Sequence, residues 1–363
     1  MQNNKLKHIA LRDWIKDRIS DSTFKYGDKL LSENELAAQF GISRQTVRQA
    51  IGALEAEGVL TRVRGSGTYV AALPVAEKQK TMNIGVITTY LDDYIFPPIL
   101  NGIDSVLLEN GYTMNLSITN NKIENEAKVL RNLIEKGVDG LIVEGTKSAF
   151  PNPNTYIYKE IRRKNLPCIF INSFYSGLNF PYIALNDVKA AEICTDYLVK
   201  NGHRKIGGIF KSDDIQGHLR YSGYCNELKK HGIDIDERNV MWFVTEDLNE
   251  LFAGDYDKSI DRRLGCCSAV VCYNDQIAVR LIDTLKRLGK NVPDDISIIS
   301  FDNSNFASFS NAALTSVNHP KKQLGIDAAQ HMISMLQNDN YDWKLLYEPI
   351  LIERNSVKTI SHP

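Results

Sequence analysis

Arg44, Gln45 and Arg48 stand at the start of a stretch with helical periodicity, directly after Ser43. The two arginines are four residues apart and so share one helix face. A guanidinium can fork onto guanine, and a glutamine amide onto adenine, in the DNA major groove. Arg62 and Arg64 precede Gly65-Ser66-Gly67, a tip with nothing bulky to hold it off a phosphate backbone. A second set is spread over the rest of the chain: Tyr94, Phe96, Glu144, Asn172, Arg220, Asn274, Asp275, Asp302 and His319. Carboxylates accept from neighbouring hydroxyls and arginine donates to ring or hydroxyl oxygens. With aromatic rings beside them, such groups suit a compact polyhydroxylated ligand.

The first set needs two helices and a hairpin to position it. Residues 33–40 have helical spacing, with Leu36, Ala37 and Phe40 on one face, and Gly41 ends that helix. Ser43 is suited to cap the next helix. There Val47, Ala50, Ile51 and Leu54 recur at i, i+3, i+4 and i+7, and Gly58 stops it. Short strands at 60–64 and 67–71 then flank the glycine tip. A solvated helix and an ordinary hairpin would also carry these charges. Turn, cap, face and wing nevertheless agree in order and spacing, which favours a winged helix-turn-helix whose second helix reads base edges. Residues 6–20 form a preceding helix with Ile9, Leu11, Ile15 and Ile19 turned largely inward, and Lys7 at its start within reach of DNA.

The motifs Leu-Ser-Glu-Asn-Glu-Leu-Ala at 31–37, Ser-Arg-Gln-Thr-Val-Arg-Gln-Ala at 43–50 and Gly-Ser-Gly-Thr-Tyr-Val at 65–70 resemble the GntR-type winged helix-turn-helix. The resemblance covers residues 6–71. It implies that Glu33, Arg44, Gln45, Arg48 and the wing at 64–68, including Arg64, Gly65, Ser66 and Gly67, touch double-stranded operator DNA. Leu31 departs from the family, which usually has proline there.

Composition bounds what lies beyond. The chain has 363 residues, 43% of them apolar, and a net charge of −1. Residues 1–72 carry a net charge of +3 and the remainder −4, which fits a DNA reader joined to a separate sensor. Six cysteines (168, 194, 225, 266, 267 and 272) lie in apolar contexts without metal-ligand spacing and read as reduced core thiols. No metal or other cofactor is expected. The N-terminal MQNNKLKHIA has no signal-peptide pattern and no stretch is long enough to span a membrane, so a cytoplasmic protein is expected. Residues 72–82 read as a linker, which divides the chain into 1–71, 72–82 and 83–363.

From residue 83 short β-branched runs alternate with helical patterns. Strands are expected at 84–88, 112–118, 140–144, 168–172, 206–210, 240–244, 269–273 and 296–301, and helices at 99–109, 124–136, 188–200, 221–230 and 276–288. Such alternation means parallel sheets covered on both faces, and so many strands suit two lobes. Ligands bind outside the carboxyl ends of parallel strands, where the second residue set lies. Asp and Asn after a strand also commonly cap the next helix, and Tyr94 and Phe96 could equally be core residues. Asp213 and Asp214 fit loop solvation or a hinge better than ligand contact.

This body resembles the LacI/GalR-type sensor and the periplasmic sugar-binding fold. The segments that carry the likeness begin at Asn201-Gly-His-Arg-Lys-Ile-Gly-Gly-Ile, Arg220-Tyr-Ser-Gly-Tyr, Ala269-Val-Val-Cys-Tyr-Asn-Asp, Val292-Pro-Asp-Asp-Ile and Leu314-Thr-Ser-Val-Asn-His-Pro. The resemblance implies sugar contacts at Arg220, Asn274 or Asp275, and Asp302. It also implies three crossovers between lobes, near 173–180, 317–320 and 338–345; a homodimer is expected. Lobe one would hold about 83–174 and 318–338, and lobe two about 175–317 and 339–363. The expected fold class is therefore α/β: a winged helix-turn-helix plus a two-lobed parallel sensor of the periplasmic-binding-protein type. The pairing of head and body resembles bacterial repressors of arabinose-utilisation genes, which implies L-arabinose as effector. Another pentose, a sugar phosphate or a purine stays open within the same regulator class. A transporter's solute-binding protein would share the body but would need a signal peptide and no DNA-binding head. No P-loop, GxSxG or HExxH motif appears, so an enzyme is not expected.

Overall fold

The computed structural model describes residues 2–20, 23–71, 80–91, 94–309, 313–337 and 343–360. Most of the expected linker, 72–79, and part of the third expected crossover, 338–342, lie outside the described residues. The chain divides into two units, Met1–Lys80 and Thr81–Pro363.

The first unit contains α1 (Gln2–Ser20), α2 (Glu33–Phe40), α3 (Arg44–Ala56), β1 (Leu60–Val63) and β2 (Gly67–Val70). Ser32 and Glu35 form a reciprocal capping box at the start of α2. Gly41 ends it at φ 58°, a conformation glycine adopts without a Cβ penalty. The Ser43 hydroxyl accepts from the Thr46 N–H at 3.2 Å and starts α3. Leu11, Ile15, Leu36, Val47, Ile51 and Leu54 meet in one core, closed below by Val59, Leu60 and Val70. Ile9, expected inside, is 38% exposed instead.

The second unit begins with β3 (Asn83–Thr88), α4 (Phe96–Glu109), β4 (Thr113–Ile118), α5 (Ile123–Glu135), β5 (Gly140–Val143) and α6 (Thr155–Arg163). Next come β6 (Cys168–Ile171), β7 (Tyr182–Leu185), α7 (Asp187–Lys200), β8 (Ile206–Lys211) and α8 (Ile215–Lys230). They are followed by β9 (Val240–Phe243), α9 (Leu248–Leu251), α10 (Asp257–Leu264), β10 (Ala269–Cys272) and α11 (Asp275–Arg287). The unit closes with β11 (Ser297–Asp302), α12 (Asn305–Phe309), β12 (Thr315–Asn318), α13 (Lys321–Gln337), β13 (Lys344–Tyr347) and β14 (Ile350–Ile352).

Two six-stranded sheets result, ordered β13-β7-β6-β5-β3-β4 and β14-β12-β11-β10-β8-β9. Every pairing in them is parallel except β12 with β14. Each sheet is sandwiched between two apolar clusters, as buried parallel sheets require. Gly102 of α4 and Gly325 of α13 let these helices touch backbone to backbone: a Cβ on Gly325 would stand 2.1 Å from the Ile99 carbonyl oxygen.

The lobe boundaries expected at 174/175 and 338/339 are corrected by strand pairing. β7 pairs with β6, and β13 with β7, so 182–185 and 344–347 belong to the first sheet. The crossings therefore fall between β7 and α7, between β12 and α13, and between β13 and β14. At the first and last the Asn186 N–H donates to the Tyr347 carbonyl at 3.0 Å, tying the two passages together. Short apolar runs such as Tyr182–Leu185 can join either sheet, and only the pairing decides.

Candidate functional site

The head presents its cations on α3 and the hairpin. Arg44, Gln45 and Arg48 are exposed at the first turns of α3, the helix end whose N–H groups favour anions. Glu33, at the start of α2, gathers the arginines. It accepts from Arg48 Nε at 2.7 Å and from Arg62 at 3.3 Å, and lies 3.9 Å from Arg44. Its carboxylate therefore organises the cationic face, a role the sequence alone does not reveal. Arg62, placed beside the wing tip by the sequence, joins the same face from β1.

The wing turns at Gly65 (φ 80°) and Gly67 (φ 134°). A Cβ on Gly67 would stand 2.7 Å from Lys29 Cε, so this glycine lets the hairpin lie against Lys29. Arg64, Gly65 and Ser66 are exposed at the tip, where the Ser66 hydroxyl meets the Tyr69 hydroxyl at 2.5 Å. Lys7 is exposed on α1.

Between the two sheets of the second unit lies a cavity of about 410 Å³. Tyr94, Phe96, Glu144, Arg220, Asn274, Asp302 and His319 line it, although they span more than two hundred residues of sequence. Each sits at the carboxyl end of a parallel strand or in the loop or helix that follows it. Asn172 and Asp275 are not on the wall. Asn172 lies behind Glu144 and donates to its Oε1 at 3.2 Å. Asp275 is fully buried and accepts from Ser300, Ser316 and Ser304, binding the start of α11 to β11 and β12. Helix and strand tethering, rather than ligand contact, occupies that carboxylate. Asn274 both lines the cavity and caps α11, its Oδ1 accepting from the Ile277 N–H at 3.0 Å.

Arg220 is 1% exposed. Its Nε donates to Asp187 at 2.8 Å, another nitrogen lies 3.8 Å from Asp302, and it also donates to the Tyr273 carbonyl. The guanidinium is sandwiched between the Tyr273 and Phe301 rings, at 4.9 and 4.4 Å from their centroids. Burial works against its charge, but Asp187 and Asp302 outweigh burial and hold its pKa above the ordinary range. Asp302 takes a left-handed φ of 97° and accepts from the Tyr94 hydroxyl at 2.5 Å, across the two lobes. Burial pushes the Glu144 carboxyl up to about 7, although Thr89 and Asn172 donate to it. His319 is pushed down to about 4 by burial and is neutral at pH 7. Neither of its ring nitrogens has a hydrogen-bond partner among the described residues.

The wall holds further residues that were not expected to contact ligand, and Asp214, expected as loop solvation or a hinge, is corrected to a cavity residue. Lys211 ends β8 and lies 3.8 Å from both Asp213 and Asp214, which keep its charge despite burial. Asp214, Gln216, Tyr90 and Tyr273 also face the cavity. Their positions after strands β3, β8 and β10 were the available signal, but that position fits helix caps equally well. Cys266 is exposed and Cys225 half-buried, which corrects the expectation of core thiols for these two; the other four are buried, and all six are free.

Comparison with known proteins places this geometry in context. The model for bacterial regulatory proteins of the gntR family matches residues 10–70, and that for the periplasmic binding protein-like domain matches residues 195–357. The chain is 37% identical over 360 residues to the arabinose metabolism transcriptional repressor of Geobacillus stearothermophilus, covering 98% of each chain. It is 35% identical over 361 residues to the protein of the same name from Halalkalibacterium halodurans, covering 96% of each. The crystal structure of the transcription regulator CcpA of Lactococcus lactis superposes with a TM-score of 0.67 at 26% identity, covering 76% of this chain and 99% of that one.

Proposed function

The chain belongs to the family of arabinose metabolism transcriptional repressors, and from that premise we propose that the effector of this repressor is L-arabinose, bound in the cavity between the lobes. As a ligand-responsive transcriptional repressor it is a regulator and not an enzyme. The observation that carries the choice of a neutral sugar is the matching of charge on the cavity wall. Arg220 lies between Asp187 and Asp302, and Lys211 between Asp213 and Asp214. A sugar phosphate would need cations not already matched by carboxylates. Hydroxyl groups need only donors and acceptors, which Glu144, Asn274, Asp302 and the neutral His319 offer. Tyr94 and Phe96 supply apolar surface for a ring face.

In this reading the head, residues 1–71, binds operator DNA through Lys7, Glu33, Arg44, Gln45, Arg48 and the wing at 64–67. Residues 83–363 bind the sugar and form a homodimer. Closing the lobes on the sugar alters the spacing of the two heads, while operator half-sites stay about 10 bp or a multiple apart. Sugar and operator then weaken each other by one common factor, typically about 1–3 kcal/mol. Calorimetry of the full chain with L-arabinose, a pentose phosphate and a purine tests this. Saturable heat with L-arabinose, and release of operator DNA over the same concentration range, is the expected result. No heat at millimolar L-arabinose, with binding of the phosphate or the purine, overturns it.

A further inference from the structure

Helix α8 carries Gln216 and Arg220 into the cavity, yet it does not cap itself. Its N-cap residue, Asp214, makes no capping hydrogen bond with its own side chain. That carboxylate is occupied elsewhere, accepting from the Tyr273 hydroxyl at 2.7 Å. The orphan N–H of Ile215 donates instead to the hydroxyl of Ser148 at 3.0 Å, and the same hydroxyl donates to Asp214 Oδ1 at 2.9 Å. Ser148 follows β5 and belongs to the first sheet's lobe, whereas α8 belongs to the second. One lobe therefore caps a helix of the other.

Two neighbours reinforce the contact. Asn121 Nδ2 donates to Thr245 Oγ1 at 2.6 Å and to Asp213 at 3.3 Å, while its Oδ1 accepts from the Lys147 N–H at 2.8 Å. Lys147 Nζ reaches Asp213 at 3.3 Å and Glu246 at 2.8 Å. Asn121 and Lys147 both hold a left-handed backbone, at φ 52° and 43°. For a lysine this is an uncommon conformation, of the sort that persists where the surroundings over-determine it.

We infer that Ser148, assisted by Asn121 and Lys147, is a closure latch: a positioning residue that completes the N-terminus of effector-bearing α8 only while the lobes are together. Separating the lobes removes the cap from α8 and uncovers Asp213, so effector affinity includes the free energy of forming the latch. Ser148 does not line the cavity; it acts through α8. The inference rests on the L-arabinose reading for its affinity test and stands apart from it for the second test.

The full chain carrying Ser148→Ala is titrated with L-arabinose beside wild type and Ser148→Thr, which restores a hydroxyl. The expected result is a three- to thirty-fold weaker Kd for alanine, the range that loss of a cap supplies, with threonine within about twofold of wild type. Hydrogen exchange without sugar is the second measurement: lobes that are together part of the time lose the cap, and the amides at 215–217 should exchange faster in Ser148→Ala, by up to about twofold. If Ser148→Ala fails to fold, Lys147→Gln takes its place, with an expected loss of sugar affinity of about two- to fivefold that shrinks at high salt. Sugar affinity within twofold of wild type in the folded variant overturns the latch. Wild type that binds no L-arabinose overturns the effector assignment instead, and unchanged exchange at 215–217 then overturns the latch on its own.

Discussion

The cationic face of the head and the wall of the cavity use arginine in opposite ways. Arg44, Arg48 and Arg62 remain about half exposed and are gathered loosely by one carboxylate, Glu33. Arg220 is out of solvent and fixed by Asp187, Asp302 and two aromatic rings. An exposed ion pair contributes about 0–1 kcal/mol and can be exchanged for a phosphate or a base edge. A buried charge cannot be left unmatched, because water no longer screens it. The head is thus built for exchange of partners, and the cavity wall for permanence. Changes on the head should affect function alone, whereas changes in the cavity should affect function and stability together.

The sharpest break of that comparison is Arg220→Ala. It leaves Asp187 and Asp302 buried without their cation and is expected to cost about 3–5 kcal/mol, read by urea unfolding. Arg48→Ala should stay within about 0.5 kcal/mol of wild type while abolishing operator binding in a gel shift. Equal stability losses in both would erase the distinction.

Glu144→Gln sharpens it next. The folded carboxyl titrates near 7, above its usual value, because of burial. A raised carboxyl pKa means that stability present at acid pH is lost as pH rises through 7. The glutamine variant should therefore be about 1–3 kcal/mol more stable than wild type at pH 8, with the gap closing toward pH 5. His319 titrates in the opposite sense in both proteins and cancels in the difference. Thermal unfolding at the two pH values checks this, and a gap independent of pH would show that Glu144 is not held protonated by burial.

On the head, Arg44 or Gln45 to Ala should relax specificity by about 1–3 kcal/mol at individual base pairs, measured on operators with single substitutions. Equal losses on operator and random DNA would make these side chains phosphate holders. The smallest effect is expected at Arg64→Ala, with unchanged folding and a salt dependence flatter by about one unit of log–log slope. An unchanged slope would leave the wing out of the interface.

The same contrast explains how far the residues could be read in order along the chain. The elements of the head are specified locally: the Ser32 and Ser43 caps, the Gly41 turn, the spacing of Val47, Ala50, Ile51 and Leu54, and the Gly65–Gly67 tip each lie within a few residues of what they specify. Periodicity and capping chemistry alone therefore determined the helix-turn-helix, and the repeated strand and helix pattern determined two parallel sheets with polar residues at their carboxyl ends. Tertiary structure decided the rest. β7 and β13 joined the first sheet through pairing across the chain, and α13 packs closely on α4 through Gly102 and Gly325. Asp275 and Asp302 look alike in sequence, each just after a strand core, yet one ties strands together and the other faces the cavity. Side-chain type and period are properties of neighbouring residues. Burial, charge matching and which lobe caps α8 depend on groups brought together from far apart, and only the folded chain brings them together.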